Sequence, residues 1–319
     1  MRDRKPIRHA DRVNAAIEGD APARSALAAS WRRSSALHRL DPGEQAPPRR
    51  LSESELRSSR ERIEPLIHAA QASLDRLYHA VGGVGCCVLL ADHEGVPVDR
   101  RGAVADDPTF RDWGLWTGTV WSEVAQGTNG IGTCIVEQRT VSIHRDQHFF
   151  TRNTDLSCTT APIFDHGARL AAALDVSSCR ADLTEAFAGL IAVAVQDAAR
   201  RIEAEAFRLA FPDARVLVAP GLEKSGSGLI AIDRNDLVIG ATRAARQALG
   251  LTAESLARPR PVGDIIGVPE GDLDAAERGV LQRALARTGG NASAAAQALG
   301  IGRATLYRKL KRLGLSSPD

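Results

Sequence analysis

The residue pattern predicts an α+β chain: a domain on an antiparallel sheet with flanking helices, a smaller strand–turn–strand–helix piece, and an all-helical C-terminal unit. Three observations carry this. Five short runs, CCVLLAD, VPVDRR, TVSIH (140–144), APIF (161–164) and RLAAALDVSS (169–178), are separated by polar and glycine-containing turns, the spacing of strands mixed with helices. Two stretches, 62–81 and 183–211, read as helices. From residue 273 onward only helical runs remain, divided by glycines.

Each element follows from its residues. Residues 1–60 are Arg-, Ala- and Ser-rich, and DPGEQAPPRR breaks them into helical pieces. In 62–81, Ile63, Leu66, Ile67, Ala70, Leu74 and Leu77 fall at three- and four-residue steps on one helical face. Residues 183–211 contain no proline, and Gly189 is their one interruption. A helix of that kind packs on its own sheet or pairs with a copy of itself. GLIAIDRNDLVIGATRAARQALGL (228–251) gives a strand, a turn at Arg234-Asn235-Asp236, a strand and a helix capped by Thr242. RPRPVGDIIGVPEG is rich in Pro and Gly and reads as a linker. The expected organisation is 1–60 N-terminal helical segment, 61–182 sheet domain, 183–211 connecting or dimerisation helix, 212–258 small segment, 259–271 linker and 272–319 helical unit.

With 319 residues the chain has room for two or three domains. A net charge of +2 decides nothing about partners. MRDRKPIRHADRV is basic without an apolar segment behind it, so no signal peptide is expected. No run approaches the roughly 20 apolar residues of a membrane span, so no membrane partner is expected. Five cysteines in a long chain fit reduced thiols and a cytoplasmic location.

The most specific text is LDAAERGVLQRALARTGGNASAAAQALGIGRATLYRKLKRLGL. Its first helix, Leu273 to about Thr288, carries Val280, Leu281, Ala284 and Leu285 as apolar positions, and Gly289-Gly290 ends it. Asn291 suits the cap of the second helix. Gly300-Ile301-Gly302 is a tight turn with Ile301 as its anchor, and the third helix turns Leu306, Leu310 and Leu313 inward. Helix, glycine turn and helix make the helix-turn-helix pattern. No Asp or Glu occurs from Gly289 to Pro318, while Arg303, Arg308, Lys309, Lys311 and Arg312 crowd the third helix. Unpaired cations on a rigid helix suit a polyphosphate groove; a solvated basic helix is the blander reading. The candidate DNA-binding residues are Asn291, Arg303, Thr305, Tyr307, Arg308, Lys309, Lys311 and Arg312. Residues 273–315 resemble the Fis-type helix-turn-helix that ends many bacterial enhancer-binding regulators. The resemblance implies double-stranded DNA as partner, bound by a homodimer on two half-sites about one helical turn apart.

GTNGIGT at Gly127–Thr133 first reads as a phosphate loop. No lysine follows it, and its glycines miss the dinucleotide spacing. No G-x-S-x-G elbow is present, so Asp165-His166 with Ser157 does not read as a triad, and an enzyme is not expected. Around the loop lie Trp113, Trp116, Trp121, Asn129, Cys134, His144, His148 and Cys158, the candidate ligand-binding residues of a small-molecule pocket. The tryptophans serve equally well as core. His144 and His148 with Cys158 or Cys134 could also hold a metal or haem, and Cys86-Cys87 admits a redox reading or simply packs as small hydrophobes.

W-S-E, G-T-N-G-I-G-T, the segment His144–Phe150, L-S-C-T-T-A-P, L-D-V-S and, upstream, A-S-W-R-R-S (Ala29–Ser34) together resemble the GAF-type sensor of acetoin catabolism regulators. Residues 228–251 look like the PAS-like segment such regulators carry after the sensor. The resemblance implies a GAF-like sheet domain, a PAS-like segment and a transcriptional regulator that senses an unidentified small-molecule effector, with no cofactor. Relatives commonly carry a central ATPase; here no Walker loop or G-A-F-T-G-A motif occurs. ATP-driven activation is therefore not carried over, and ordinary recruitment or repression is expected, with RNA polymerase as a further partner. The rival readings are a ligand-independent architectural DNA-binding protein and a small-molecule enzyme fused to a DNA-binding tail.

Overall fold

The computed structural model describes residues 8–180, 185–224, 226–266 and 273–315. The N-terminal helices are α1 (His9–Glu18), α2 (Ala26–Arg32) and α3 (Glu53–Arg62), of which α2 and α3 start on capping side chains. The Ala28 N–H donates to Ser25 at the head of α2, and Ser52 and Glu55 form a capping box on α3. α2 runs directly into a π-helical turn at Arg33–Leu37. α4 (Glu64–Val81) buries Leu66, Ala70, Leu74 and Leu77, as its spacing predicts.

The larger sheet comprises β1 (Cys86–Asp92), β2 (Pro97–Arg101), β3 (Val141–His144), β4 (Ser157–Phe164) and β5 (Leu170–Ser178). The strand order is β2-β1-β5-β4-β3, antiparallel throughout. Between β2 and β3 lie the short helices α5 (Asp107–Asp112), α6 (Glu123–Gln126) and α7 (Gly130–Glu137). One sheet face packs Val88, Leu90, Ile163 and Leu174 against α4 and the long helix α8 (Glu185–Ala210). The other face packs Cys87, Leu89, Cys158 and Ala173 against Trp121, Ile131 and Cys134. Both faces are covered, so β1 reads as a continuous apolar run rather than an alternating one.

α8 lays Ile191, Val195, Ala198, Ala199 and Ile202 on its own sheet and leaves Leu190 and Val193 each 67% exposed. Glu203 of α8 accepts the Phe164 N–H at 2.8 Å. Burial, which this hydrogen bond only partly offsets, pushes its carboxyl up to about 7. A carboxyl raised in the fold contributes stability that is complete below its unfolded value and is lost as pH rises through about 7. Glu203→Gln keeps an acceptor for Phe164 and is expected to remove a loss of about 3 kcal/mol between pH 5 and 8. Urea unfolding of both proteins across that range checks it; parallel curves would contradict it.

A three-stranded antiparallel sheet follows, β6 (Arg215–Val218), β7 (Leu229–Ile232) and β8 (Val238–Ala241), in that order. α9 (Arg243–Leu249) and α10 (Ala253–Ala257) come next, and Thr242 caps α9 by accepting the Ala245 N–H. β6 has no counterpart among the strands expected from the sequence; it is a four-residue edge strand that follows α8 after a short turn.

Two compact units divide at Arg260 and Pro261. The second holds α11 (Val262–Ile266), α12 (Leu273–Arg287), α13 (Ala292–Ala298) and α14 (Arg303–Arg312). Part of the expected linker is thus helical, and its residues 267–271, like 183–184 of the long helix, lie outside the described residues. The three last helices share one core: Leu281, Ala284, Ala295, Ala296, Leu306, Leu310 and Leu313. Gly289 and Gly290 take positive φ of 60° and 86°, and Asn291 caps α13 by accepting the Ala294 N–H. Val280 is 43% exposed, because the buried stripe of α12 runs through Leu281 and Ala284 and leaves Val280 on its flank.

Candidate nucleic-acid interface and sensor site

Leu306, Leu310 and Leu313 fix which side of α14 faces inward. Arg303, Arg308 and Lys311 are exposed, and among the described residues none forms an ion pair. The Arg303 guanidinium lies 5.6 Å from the Tyr307 ring centroid, and Arg308 donates to Thr305 Oγ1 at 3.3 Å. Lys309 and Arg312 behave differently. Lys309 pairs with Glu277, and Arg312 pairs with Glu277 and, at 2.9 Å, with Asp274. The acid-free run therefore misleads for these two cations. Their partners stand on α12, 32 to 38 residues earlier in the chain. The Lys309 hydrogen bond is the largest cause holding the Glu277 carboxyl below its ordinary value. Asn291 is exposed but spends its side chain on the α13 cap.

In the sheet domain, GTNGIGT is the start of a helix. Asn129 caps α7: its Oδ1 accepts the Gly132 N–H at 2.9 Å and its Nδ2 donates to the Gly127 carbonyl at 2.8 Å. Both ends of this buried amide are engaged. A Cβ on Gly130 would lie 2.6 Å from Thr160 Oγ1 and 2.7 Å from the Cys158 Cβ, and one on Gly132 would lie 2.7 Å from the Trp121 carbonyl. The glycines let α7 sit directly on β4 and on the chain at Trp121.

The three tryptophans do not form one wall. Trp121 is buried in the core and donates to the Gly114 carbonyl at 2.9 Å, and Trp113 packs on the rim of that core. Trp116 is stacked between the Arg100 and Arg111 guanidiniums, each 4.2 Å from its ring. Cys134 and Cys158 are core side chains, both pushed far up by burial, which does not suit a reactive thiolate. His144 Nδ1 shares a 2.8 Å hydrogen bond with Ser157 Oγ. His148 is fully buried between the Arg145 carbonyl and Cys158 Sγ, and burial pushes it down to about 4.

Two groups escaped the sequence reading. Asp175 is buried on β5, accepts from Thr160 at 2.5 Å and Ser177 at 2.6 Å, and is pushed up to about 6 by burial. Ser177 also reaches Cys158 Sγ at 3.1 Å, so hydroxyls, carboxyl, thiol and imidazole form one continuous buried chain. The signal was a carboxylate inside an apolar strand. The second is Arg33 in the π-helical turn, which pairs with the buried Glu123 and with Glu137. Ser30 and Ser34 both reach Thr128, and Trp31 donates to the Gln147 carbonyl. A-S-W-R-R-S, W-S-E, G-T-N-G-I-G-T and the His144–Phe150 segment thus meet at one place. Beside it lies a cleft of about 180 Å³, floored by Ser30, Thr128 and Thr133 and flanked by Leu27, Val141 and Gln147.

A GAF-like antiparallel-sheet domain and a C-terminal helix-turn-helix are the two parts this chain shares with bacterial regulatory proteins. The chain belongs to the MimR family through its N-terminal domain, whose family model, "MimR, N-terminal domain", matches residues 3–204. Residues 273–313 match the model "Bacterial regulatory protein, Fis family". The acetoin catabolism regulatory protein of Cupriavidus necator is 34% identical over 224 residues, 69% of this chain and 34% of that protein. The acetoin dehydrogenase operon transcriptional activator AcoR of Bacillus subtilis is 27% identical, over 59% of this chain and 31% of its own. The propane 2-monooxygenase operon transcriptional activator MimR of Mycolicibacterium smegmatis is 31% identical, over 52% and 27%. The chain spans about a third of the length of these relatives. A chain of the E. coli DhaR(N)–DhaL complex superposes with a TM-score of 0.52 at 17% identity, covering 75% of this chain and 80% of its own, which shows the shared fold alone. No helix among the described residues is long and apolar enough to cross a membrane.

Proposed function

We propose that this chain is a homodimeric, non-enzymatic regulator whose sensor domain binds a small effector and whose α14 reads operator DNA without ATP-driven remodelling. The observation that carries the DNA reading is that Arg303, Arg308 and Lys311 are exposed and unpaired among the described residues, on a helix held by a leucine face. Such cations engage phosphates while the start of the helix reaches base edges. The exposed Leu190 and Val193 of α8 support self-association along that helix.

The cleft beside α7, of about 180 Å³, supports a small effector. Its floor of hydroxyls and its Leu27 and Val141 flanks favour a molecule with both polar and apolar ends. An occupant there would touch both α2 and the α7–β3 connection. It would bias how the N-terminal segment docks, a population shift between two arrangements.

Sequencing of genomic fragments retained by the purified full chain tests this reading. Enrichment of a sequence with two half-sites is the expected result, and sequence-tolerant retention would favour an architectural role. Ala26→Trp, at the exposed edge of the cleft, is expected to abolish effector response while retaining the same fragments. Hydrolysis of ATP by the purified protein would contradict the ATP-independent mechanism.

A further inference from the structure

The unit carrying α14 contains eight cations and two carboxylates between residues 273 and 315. Both carboxylates, Asp274 and Glu277, are spent on α14. Among the described residues they form no ion pair with Arg278, Arg283 or Arg287 of their own helix, nor with Arg303 or Arg308. The two cations they take lie on one side of α14. On a 100° wheel centred on the buried Leu306–Leu310–Leu313 stripe, Arg308 and Lys311 point away from the core, and Arg303, exposed at the first position of the helix, lies on the flank opposite Lys309. Lys309 lies on its flank, and Arg312 turns from the outward face toward the same side.

We infer that Asp274 and Glu277 act as internal stand-ins for phosphate, withdrawing Lys309 and Arg312 from DNA so that backbone affinity rests on Arg303, Arg308 and Lys311. This rests on the reading of α14 as the DNA-facing helix. A phosphate that recruits Lys309 or Arg312 must first displace a carboxylate already hydrogen-bonded to it, so little counterion release is gained there. The consequence is a weak sequence-independent component and a correspondingly larger share for base contacts. The same contacts brace α14 against α12, which sets the angle at which the helix presents its first turn.

The test is the salt dependence of binding of the full chain to a random-sequence duplex. Each cation that neutralises a phosphate contributes about 0.9 to the slope of log K against log salt. Lys311→Gln is expected to flatten the slope by about 0.9 for each bound helix, and Lys309→Gln to leave it unchanged. The double variant Asp274→Asn, Glu277→Gln frees both cations and is expected to steepen it by up to about 1.8 for each helix, with tighter non-specific binding. A slope equally sensitive to Lys309→Gln and Lys311→Gln would overturn the inference. So would a folded double variant, its helicity checked by circular dichroism, with an unchanged or flatter slope. If the double variant does not fold, the comparison of the two lysine variants decides alone. Should neither Lys311→Gln nor Arg308→Gln change the slope, the DNA-facing reading of α14 itself fails.

Discussion

Arg33→Ala is expected to destabilise the sensor domain by about 3–5 kcal/mol, the cost of leaving a buried carboxylate without its partner. The Glu123 side chain has no exposed surface, and Arg33 supplies two donors to it, Nη2 at 2.9 Å. Adding Glu123→Gln to Arg33→Ala removes the stranded charge and is expected to restore most of the loss. Urea unfolding of the wild type, the single and the double variant measures both terms. A single-variant loss below about 1 kcal/mol would mean that solvent screens the pair as at a surface. The effect should be cooperative, because Ser30, Trp31 and Ser34 dock from the same two turns of chain.

The second large effect lies inside GTNGIGT. Gly132→Ala puts a methyl group within van der Waals distance of two backbone atoms, the Glu123 nitrogen and the Trp121 carbonyl, which have no rotamer to yield. Overpacking of this kind costs about 1–3 kcal/mol, and the rigid backbone partners place this site at the upper end. Gly189→Ala is the matched control. It lies within α8 with nothing within 4 Å of its would-be Cβ. Its expected outcome is a gain of up to about 1 kcal/mol from helix propensity alone. Thermal unfolding of the two variants should therefore move in opposite directions.

Local periodicity made most of the architecture readable, and long-range partners supplied what it could not. The strands at 86–92 and 170–178 and the helices at 64–81 and 185–210 announce themselves by runs and steps that depend on near neighbours. β6 does not, since four residues at a sheet edge carry too little alternation. The tryptophans cluster in sequence, but the turn between them sends Trp121 inward and Trp116 outward onto arginines. Arg33 meets Glu123 across 90 residues, and Lys309 meets Glu277 across 32; neither pairing leaves a local trace. The quoted motifs were informative for a physical reason. A-S-W-R-R-S and G-T-N-G-I-G-T are the two sides of one interface, so each constrains residues far away in the chain.

The position of β5 bears on how the protein is made. The centre of the larger sheet is the last of its strands to leave the ribosome, and Cys86 waits for Ser178. At synthesis rates of about 5–20 residues per second, β1 spends about 5–20 s as an apolar ribbon whose partner on that side does not yet exist. Closing a loop of that size also slows folding in the finished chain. The trihelical C-terminal unit, whose contacts span far shorter loops, should form as soon as it emerges. Chaperone demand during expression is thus expected to concentrate on the sensor half, and to end when α8, which covers one face of the sheet, clears the exit tunnel.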